Sequence, residues 1–237
     1  VDGAGKGATV NLLNEWMDPR YLRTHAFGKM SDEESERPEY WRFWRALPPK
    51  GQIGLYIGSW YSHPIAQRVH DDFNDAELDG HLLRIKTFEK ALVDDGALII
   101  KFWLHLSKDA QKRRLKSLEA DPATAWRVTK LDWQHLKLYD TFRSIAERTL
   151  RDTSTGEAAW MIVEGSCRRY RSVTVAQHIL DRINDRIARG SAVSRDSLPP
   201  GSDALPVVTR PLTLLSHLDL SKTVDKRHYK KRLEKLQ

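Results

Sequence analysis

The sequence predicts an α/β fold in which a parallel sheet is covered by helices on both faces. Two observations carry this. Short apolar runs of strand length alternate along the chain with longer stretches repeating at helical spacing. The central runs read as buried strands, as parallel sheets with both faces covered require. At 237 residues the chain suits one large domain, or one domain with an appendage, and can bury a substantial core.

Taken in order, Val10, Leu12, Leu13, Trp16 and Met17 mark a first helix that Asp18-Pro19 stops. Tyr21 to Phe27 alternates weakly, as a short strand does. Ser31 to Glu36 is acidic and polar and reads as a loop. Pro38 opens a helix carrying Trp41, Phe43, Trp44 and Leu47, closed by Pro48-Pro49. Gly51 to Ile57 reads as a buried strand and Gly58 to Tyr61 as the loop after it. Pro64 to His70 suits a short helix. Glu77 to Val93 suits a longer one, with Leu78, Leu82, Leu83, Ile85, Phe88, Leu92 and Val93 on one broad apolar face. Ala97 to Leu106 is the strongest strand. Ser107 caps the next helix, which runs to about Glu119. Asp121 to Lys130 is basic and aromatic, Asp132 to Arg151 is helical, Ala159 to Glu164 is a strand, and Val173 to Ala188 is a helix.

From Gly190 to Pro211 the composition shifts to Pro, Gly, Ser, Asp and Arg without apolar periodicity, so 190–211 reads as a linker after a domain over 1–189. Residues 212–237 form a separate basic segment, with Tyr229, Leu233 and Leu236 as a helical stripe.

Composition excludes several classes. Hydrophobic residues are 40% and charged residues 30% of the chain, which is ordinary for a globular protein. No apolar run approaches the ~18 residues of a membrane span, and no signal-like segment opens the sequence. One cysteine, Cys167, excludes an intramolecular disulfide framework and a Cys-rich zinc site, and fits a cytoplasmic location. The formal charge of +7 favours an anionic partner such as a nucleotide, a polyanion or nucleic acid, although a solvated surface of mixed charge fits it too.

The most informative stretch is Val1-Asp2-Gly3-Ala4-Gly5-Lys6-Gly7, directly ahead of the first helix. Glycines let successive backbone N–H groups face phosphate oxygens, a lysine reaches the terminal phosphates, and a helix N-terminus lies beneath. Gly5-Lys6 supplies the second half of the phosphate-loop pattern. Gly7 stands where a magnesium-binding Ser or Thr is usual, leaving Thr9 or Asp2 as substitutes. On spacing alone, a glycine-rich terminal segment also fits.

Five ordered stretches make the chain resemble polyphosphate kinase family 2. They are Asp2 to Gly7; Arg37-Pro38-Glu39-Tyr40-Trp41-Arg42-Phe43-Trp44 with Leu47 to Gly51; Ser59-Trp60-Tyr61 with Gln67-Arg68-Val69; Lys101 to Lys108 with Gln111 and Arg113-Arg114; and Asp121-Pro122, Trp126-Arg127 and Asp132-Trp133. The likeness runs from Val1 to about Ile183. It implies a P-loop kinase-like three-layer α/β/α sandwich with a central parallel sheet and a helical lid, its first strand missing from the chain. It implies phosphoryl transfer between polyphosphate and AMP or another nucleotide, with Mg2+ as cofactor, which is chemistry of positioning and charge neutralisation.

Carried over residue by residue, the resemblance implies that Lys6 and the amides of Gly3, Ala4, Gly5 and Gly7 hold a phosphate chain. Asp2 would orient the attacking phosphate or help bind the metal. Arg113, Arg114, Arg127 and Lys130 would clamp polyphosphate from the lid. Trp41, Trp44, Trp103 and Trp133 read as packing rather than nucleotide stacking. One departure matters. Where the family's middle strand ends in Asp-Arg, this chain has Ile57-Gly58. Isoleucine cannot ligate a hard cation and glycine cannot neutralise phosphate, so the domain is expected to be degenerate, weakly active or structural.

The tail from Asp219, with Tyr229 to Leu233, resembles the lead-in to a second copy of the same domain. That implies a tandem protein whose partner is a second phosphotransferase domain in the same chain. Relatives also associate, so a homo-oligomer is possible. Two other readings stand beside this one. In the first, the domain is catalytically competent, with Asp2 and Asp71 or Asp72 replacing the lost ligand. In the second, it is a basic nucleic-acid-binding module.

Overall fold

The computed structural model describes residues 3–70 and 72–196, with side chains to residue 190. The chain divides into two compact units, Val1–Ser191 and Ala192–Gln237. The basic segment at 212–237 and its resemblance to a second copy lie outside the described residues.

The first unit is α/β with parallel pairing, as the sequence predicts. Its strands are β1 (Leu22–Ala26), β2 (Ile53–Ile57), β3 (Lys101–His105) and β4 (Trp160–Glu164). They form two parallel two-stranded sheets, β1–β2 and β3–β4, rather than one continuous ladder. Among the described residues, no ladder joins β2 to β3. Side chains bridge the two pairs instead. Leu55 of β2 packs on the buried cluster that holds Leu104 of β3 and Val163 of β4.

Nine helices are described: α1 (Lys6–Trp16), α2 (Asp32–Ser35), α3 (Trp41–Trp44), α4 (Ser62–Val69), α5 (Asp75–Asp94), α6 (Lys108–Ala120), α7 (Lys130–Lys137), α8 (Tyr139–Thr153) and α9 (Arg168–Asp196). Their starts follow from capping chemistry. Asn74 accepts the Glu77 N–H while the Glu77 carboxylate accepts the Asn74 N–H, which opens α5 with a capping box. The Ser107 hydroxyl accepts the Ala110 N–H at the start of α6. α4, α5 and α8 pack together around Leu78, Leu82, Ile65 and Ile145.

Four expectations need correcting. The segment read as a loop at Ser31 to Glu36 contains α2, because Ser31 and Glu34 form a reciprocal capping box. The single helix expected over Asp132 to Arg151 is two helices, α7 and α8, meeting at Leu138. β3 starts at Lys101 rather than Ala97, since its ladder begins with the Lys101–Trp160 pair. α9 continues through Gly190 to Asp196, into the stretch read as linker. Among the described residues, no helix is long and apolar enough to cross a membrane.

Candidate functional site

The carboxyl ends of the strands lead into the loops where α/β folds gather their ligands. The glycine loop at Gly3–Gly7 belongs to this end. Ala4 is fully buried (0% exposed) in the cluster of Leu13, Leu104, Leu106, Val163 and Val175. A loop of small residues is thereby pinned to the core by one methyl group. Gly5 is the N-cap of α1, in the left-handed region at φ 87°. Glycine adopts that conformation without steric cost.

No side chain caps α1, and its first turn carries no acidic residue. The first N–H groups of a helix have no intrahelical acceptor. Among the described residues, no side chain caps them, and such free N–H groups suit an anion. Lys6 is the first residue of α1 and is exposed, as is Gly7. Asp2 lies outside the described residues.

Arginines close around this loop from two sides. From α6, the alkyl stem of Arg114 runs past Gly3, where a Cβ would stand 3.3 Å from Arg114 Cγ. From α9, the Arg171 guanidinium stacks on Gly5, where a Cβ would stand 2.4 Å from its central carbon. Arg171 was not singled out from the sequence. The only signal was a basic run, Arg168-Arg169-Tyr170-Arg171, immediately after the last strand. Burial holds the Arg171 pKa below the ordinary arginine value, and the neighbouring charges of Arg114 and Arg168 push the same way. Like charges beside uncapped helix amides give this loop a positive potential.

The other basic residues expected in a lid are distributed differently. Arg113 is exposed on α6. Arg127 ends the single turn Ala125–Arg127 and lies over the Trp126 ring, 5.2 Å from its centroid. Lys130 is exposed at the first residue of α7. α6 packs against both that turn and α7. Among the described residues, however, Arg113, Arg127 and Lys130 make no hydrogen bond or ion pair with the glycine loop.

Two residues beside the loop add to the site. Glu164, at the end of β4, accepts the Ser166 N–H (2.9 Å) and the Cys167 N–H (3.3 Å). These bonds, chiefly those to Ser166, lower its pKa. His105 ends β3, and its carbonyl accepts the Gly165 N–H at 2.7 Å. The Tyr139 hydroxyl donates to the Leu106 carbonyl (2.8 Å), so its contact with His105 Nε2 (3.3 Å) must have the ring nitrogen donating. Desolvation lowers the His105 pKa, favouring the neutral ring.

Thr9, one of the two candidates to replace the usual metal-binding hydroxyl, is turned toward the protein. The Thr9 hydroxyl is buried, donates to the Gly5 carbonyl (3.0 Å) and accepts from Arg171 Nε (3.0 Å). It is occupied beneath the loop. Magnesium takes oxygen ligands, typically one or two carboxylates with phosphate and water completing its shell. Ile57 offers only hydrocarbon, and no three His, Cys, Asp or Glu side chains among the described residues converge. Asp72 stands beyond the far end of α4 from Ile57, and Asp71 lies outside the described residues. Among the tryptophans read as packing, Trp103 stacks on Phe142 (5.8 Å). Trp44 is only partly so: it meets Phe88 edge-on yet is 52% exposed.

Comparison with known proteins converges on one group. The polyphosphate kinase 2 family matches residues 1–190. The chain is 45% identical to the polyphosphate:AMP phosphotransferase of Pseudomonas aeruginosa over 98% of its own length, covering 46% of that protein. It is 30% identical to the AMP/ADP-polyphosphate phosphotransferase of Meiothermus ruber over 76% of its length, covering 67% of that protein. Among solved structures, a polyphosphate kinase 2 from Arthrobacter aurescens superposes with a TM-score of 0.76 at 31% identity, over 78% of this chain and 65% of that one. A Pseudomonas aeruginosa polyphosphate kinase 2 structure gives the same TM-score at 41% identity, over 99% of this chain and 43% of that one. The chain thus spans about half the length of its Pseudomonas aeruginosa relative.

Proposed function

The chain belongs to the polyphosphate kinase 2 family, and we propose that it is the phosphate-holding half of a protein that transfers phosphoryl groups between polyphosphate and AMP. The observation that carries this reading is the uncapped glycine loop at the start of α1, with Lys6 upon it and Arg114 and Arg171 against it. Polyphosphate is a chain of anions. Holding it requires several cations and backbone donors at once. AMP as the nucleotide is favoured by the name of the Pseudomonas aeruginosa relative.

In this reading Lys6 and the loop amides take one phosphate group, and Arg114 neutralises the next along the chain. Phosphoryl transfer asks the protein for little beyond such positioning and charge stabilisation. The domain contributes the first part and is weak in the second. Ile57 and Gly58 withhold a metal ligand and a charge clamp, so no magnesium-dependent step is assigned to these residues. The chain's span of about half its relative supports a second phosphotransferase domain in the remainder of the protein, where turnover takes place.

The test uses the 237-residue chain and the longer protein together. The chain is titrated with tripolyphosphate by calorimetry, wild type against Lys6→Ala, and assayed for ADP formation from AMP and polyphosphate. The expected result is binding that weakens at least tenfold in the variant, with ADP formed only by the longer protein. Brisk ADP formation by the chain alone would show a competent catalytic domain. Failure of the folded chain to bind tripolyphosphate would remove the phosphate-holding role.

A further inference from the structure

Arg171 is a buried cation, 5% exposed. Among the described residues it makes no ion pair, and its hydrogen-bond partners are neutral. Nε donates to the Thr9 hydroxyl at 3.0 Å and Nη1 to the Gly165 carbonyl at 2.6 Å. Glu164, a carboxylate that bears on it electrostatically, is turned to the Ser166 and Cys167 amides. A guanidinium has five N–H donors, and these two bonds leave most of them unspent. An uncompensated buried charge is costly. It is more so here, where Arg114 and Arg168 add charge of the same sign.

The contacts of Arg171 all lead to the glycine loop. Its flat face covers the Cα of Gly5, and any side chain there would meet the guanidinium. Its Nε holds Thr9, whose hydroxyl holds the Gly5 carbonyl in turn. Its Nη1 holds Gly165, which packs so closely under the loop that a Cβ there would stand 3.0 Å from the Ala4 carbonyl oxygen and 2.9 Å from that of His105. One planar fork therefore ties the start of α1 to the end of β4 on either side of Ala4.

We propose that Arg171 is a positioning residue: it clamps the glycine loop in its anion-receiving shape, and the bound phosphate chain is the counter-charge its burial lacks. The second half rests on the phosphate-holding role proposed above, whereas the clamp stands on the contacts alone. Arginine suits this task and lysine does not, because only a rigid fork reaches two acceptors in one plane while lying flat on a glycine.

The experiment compares wild type, Arg171→Met, Arg171→Lys and Thr9→Val in the 237-residue chain. Hydrogen exchange of the peptide spanning the glycine loop is read with and without tripolyphosphate, alongside calorimetric affinity. Arg171→Met is expected to exchange loop amides at least tenfold faster while peptides of α5 stay unchanged, and to bind tripolyphosphate at least tenfold more weakly. Arg171→Lys should recover part of the affinity, through its charge, while loop exchange stays fast. A merely structural role would not separate these two readouts.

Should Arg171→Met fail to fold, Thr9→Val carries the test, since it keeps the charge and removes one acceptor; faster loop exchange is again expected. Loop exchange within twofold of wild type in a folded variant overturns the clamp. Unchanged affinity in a folded Arg171→Met chain overturns the counter-charge role. If wild type itself does not bind tripolyphosphate, the proposed function and the counter-charge role both fall, and the exchange data alone decide the clamp.

Discussion

Lys101 Nζ lies 2.8 Å from Glu89 Oε2, with the two side chains only 5% and 3% exposed. Every polar atom of the pair is engaged. Lys101 also donates to the Tyr61 hydroxyl (3.0 Å) and the Thr153 carbonyl (2.8 Å), while Tyr61 and the Trp60 indole donate to Glu89 Oε1 at 2.7 and 3.0 Å. The Ser59-Trp60-Tyr61 stretch thus holds a buried carboxylate and ties the loop after β2 to α5 and β3. Removing one member leaves the other charged and unpaired, at a cost of about 3–5 kcal/mol. Lys101→Met is expected to lower the urea midpoint accordingly. Adding Glu89→Leu should recover much of the loss, because the charge left behind is gone. A double variant as unstable as the single one would mean that packing, not charge, sets the cost.

Gly58 occupies the left-handed region at φ 76°, and a Cβ there would stand 2.7 Å from the Phe27 carbonyl oxygen. The backbone is fixed nearby by the Phe27 N–H donating to the Ile57 carbonyl at 2.8 Å. Left-handed backbone costs a non-glycine residue about 1–2 kcal/mol before any collision is counted. Restoring the family's Asp-Arg pair by substitution is therefore not a local change. Ile57→Asp/Gly58→Arg should unfold at distinctly lower urea than Ile57→Asp, and Gly58→Ala should lose at least about 1–2 kcal/mol. A Gly58→Ala chain as stable as wild type would show that the loop refits freely and that an arginine there is structurally open.

The basic residues of the lid segment should separate in binding. Arg114 runs beside Gly3, while Arg127 lies over the ring of the exposed Trp126. Arg114→Ala is expected to weaken tripolyphosphate binding about tenfold at low salt and Arg127→Ala by no more than about twofold, with both losses shrinking as salt screens the charges. Equal losses would place Arg127 on the phosphate chain as well.

What the sequence made legible was whatever depends on neighbours along the chain. The glycine loop, the Ser107 cap and the four strands each follow from local composition. Even α2, read as loop, carried its signature in Ser31 and Glu34. What stayed hidden depends on partners far apart. Arg171 meets Thr9 across 162 positions, and nothing in a basic run after a strand says which arginine turns inward. The reason Gly58 must be glycine lies in Phe27, on a different strand connection. The occupied state of the Thr9 hydroxyl was equally invisible, since a hydroxyl near a phosphate loop reads as a ligand until its acceptor and donor are known.

Glu164 pulls stability and binding in opposite directions, and pH exposes this. Its bonds to Ser166 and Cys167 lower its pKa below the ordinary 4.5. A carboxylate whose folded pKa is depressed adds stability that is fully present above its unfolded pKa. That stability is lost as pH falls through the folded value. Urea midpoints of wild type and Glu164→Gln should therefore differ at neutral pH and converge as pH falls through the lowered folded pKa. The gap should be small, under about 1 kcal/mol, because solvent screens this exposed group. The same carboxylate is a negative charge beside the glycine loop, where it offsets Arg171. Its neutralisation should tighten tripolyphosphate binding at neutral pH by about twofold to tenfold, more at low salt. Weaker binding in Glu164→Gln would mean that its hold on the Ser166 and Cys167 amides shapes the loop more than its charge opposes the anion.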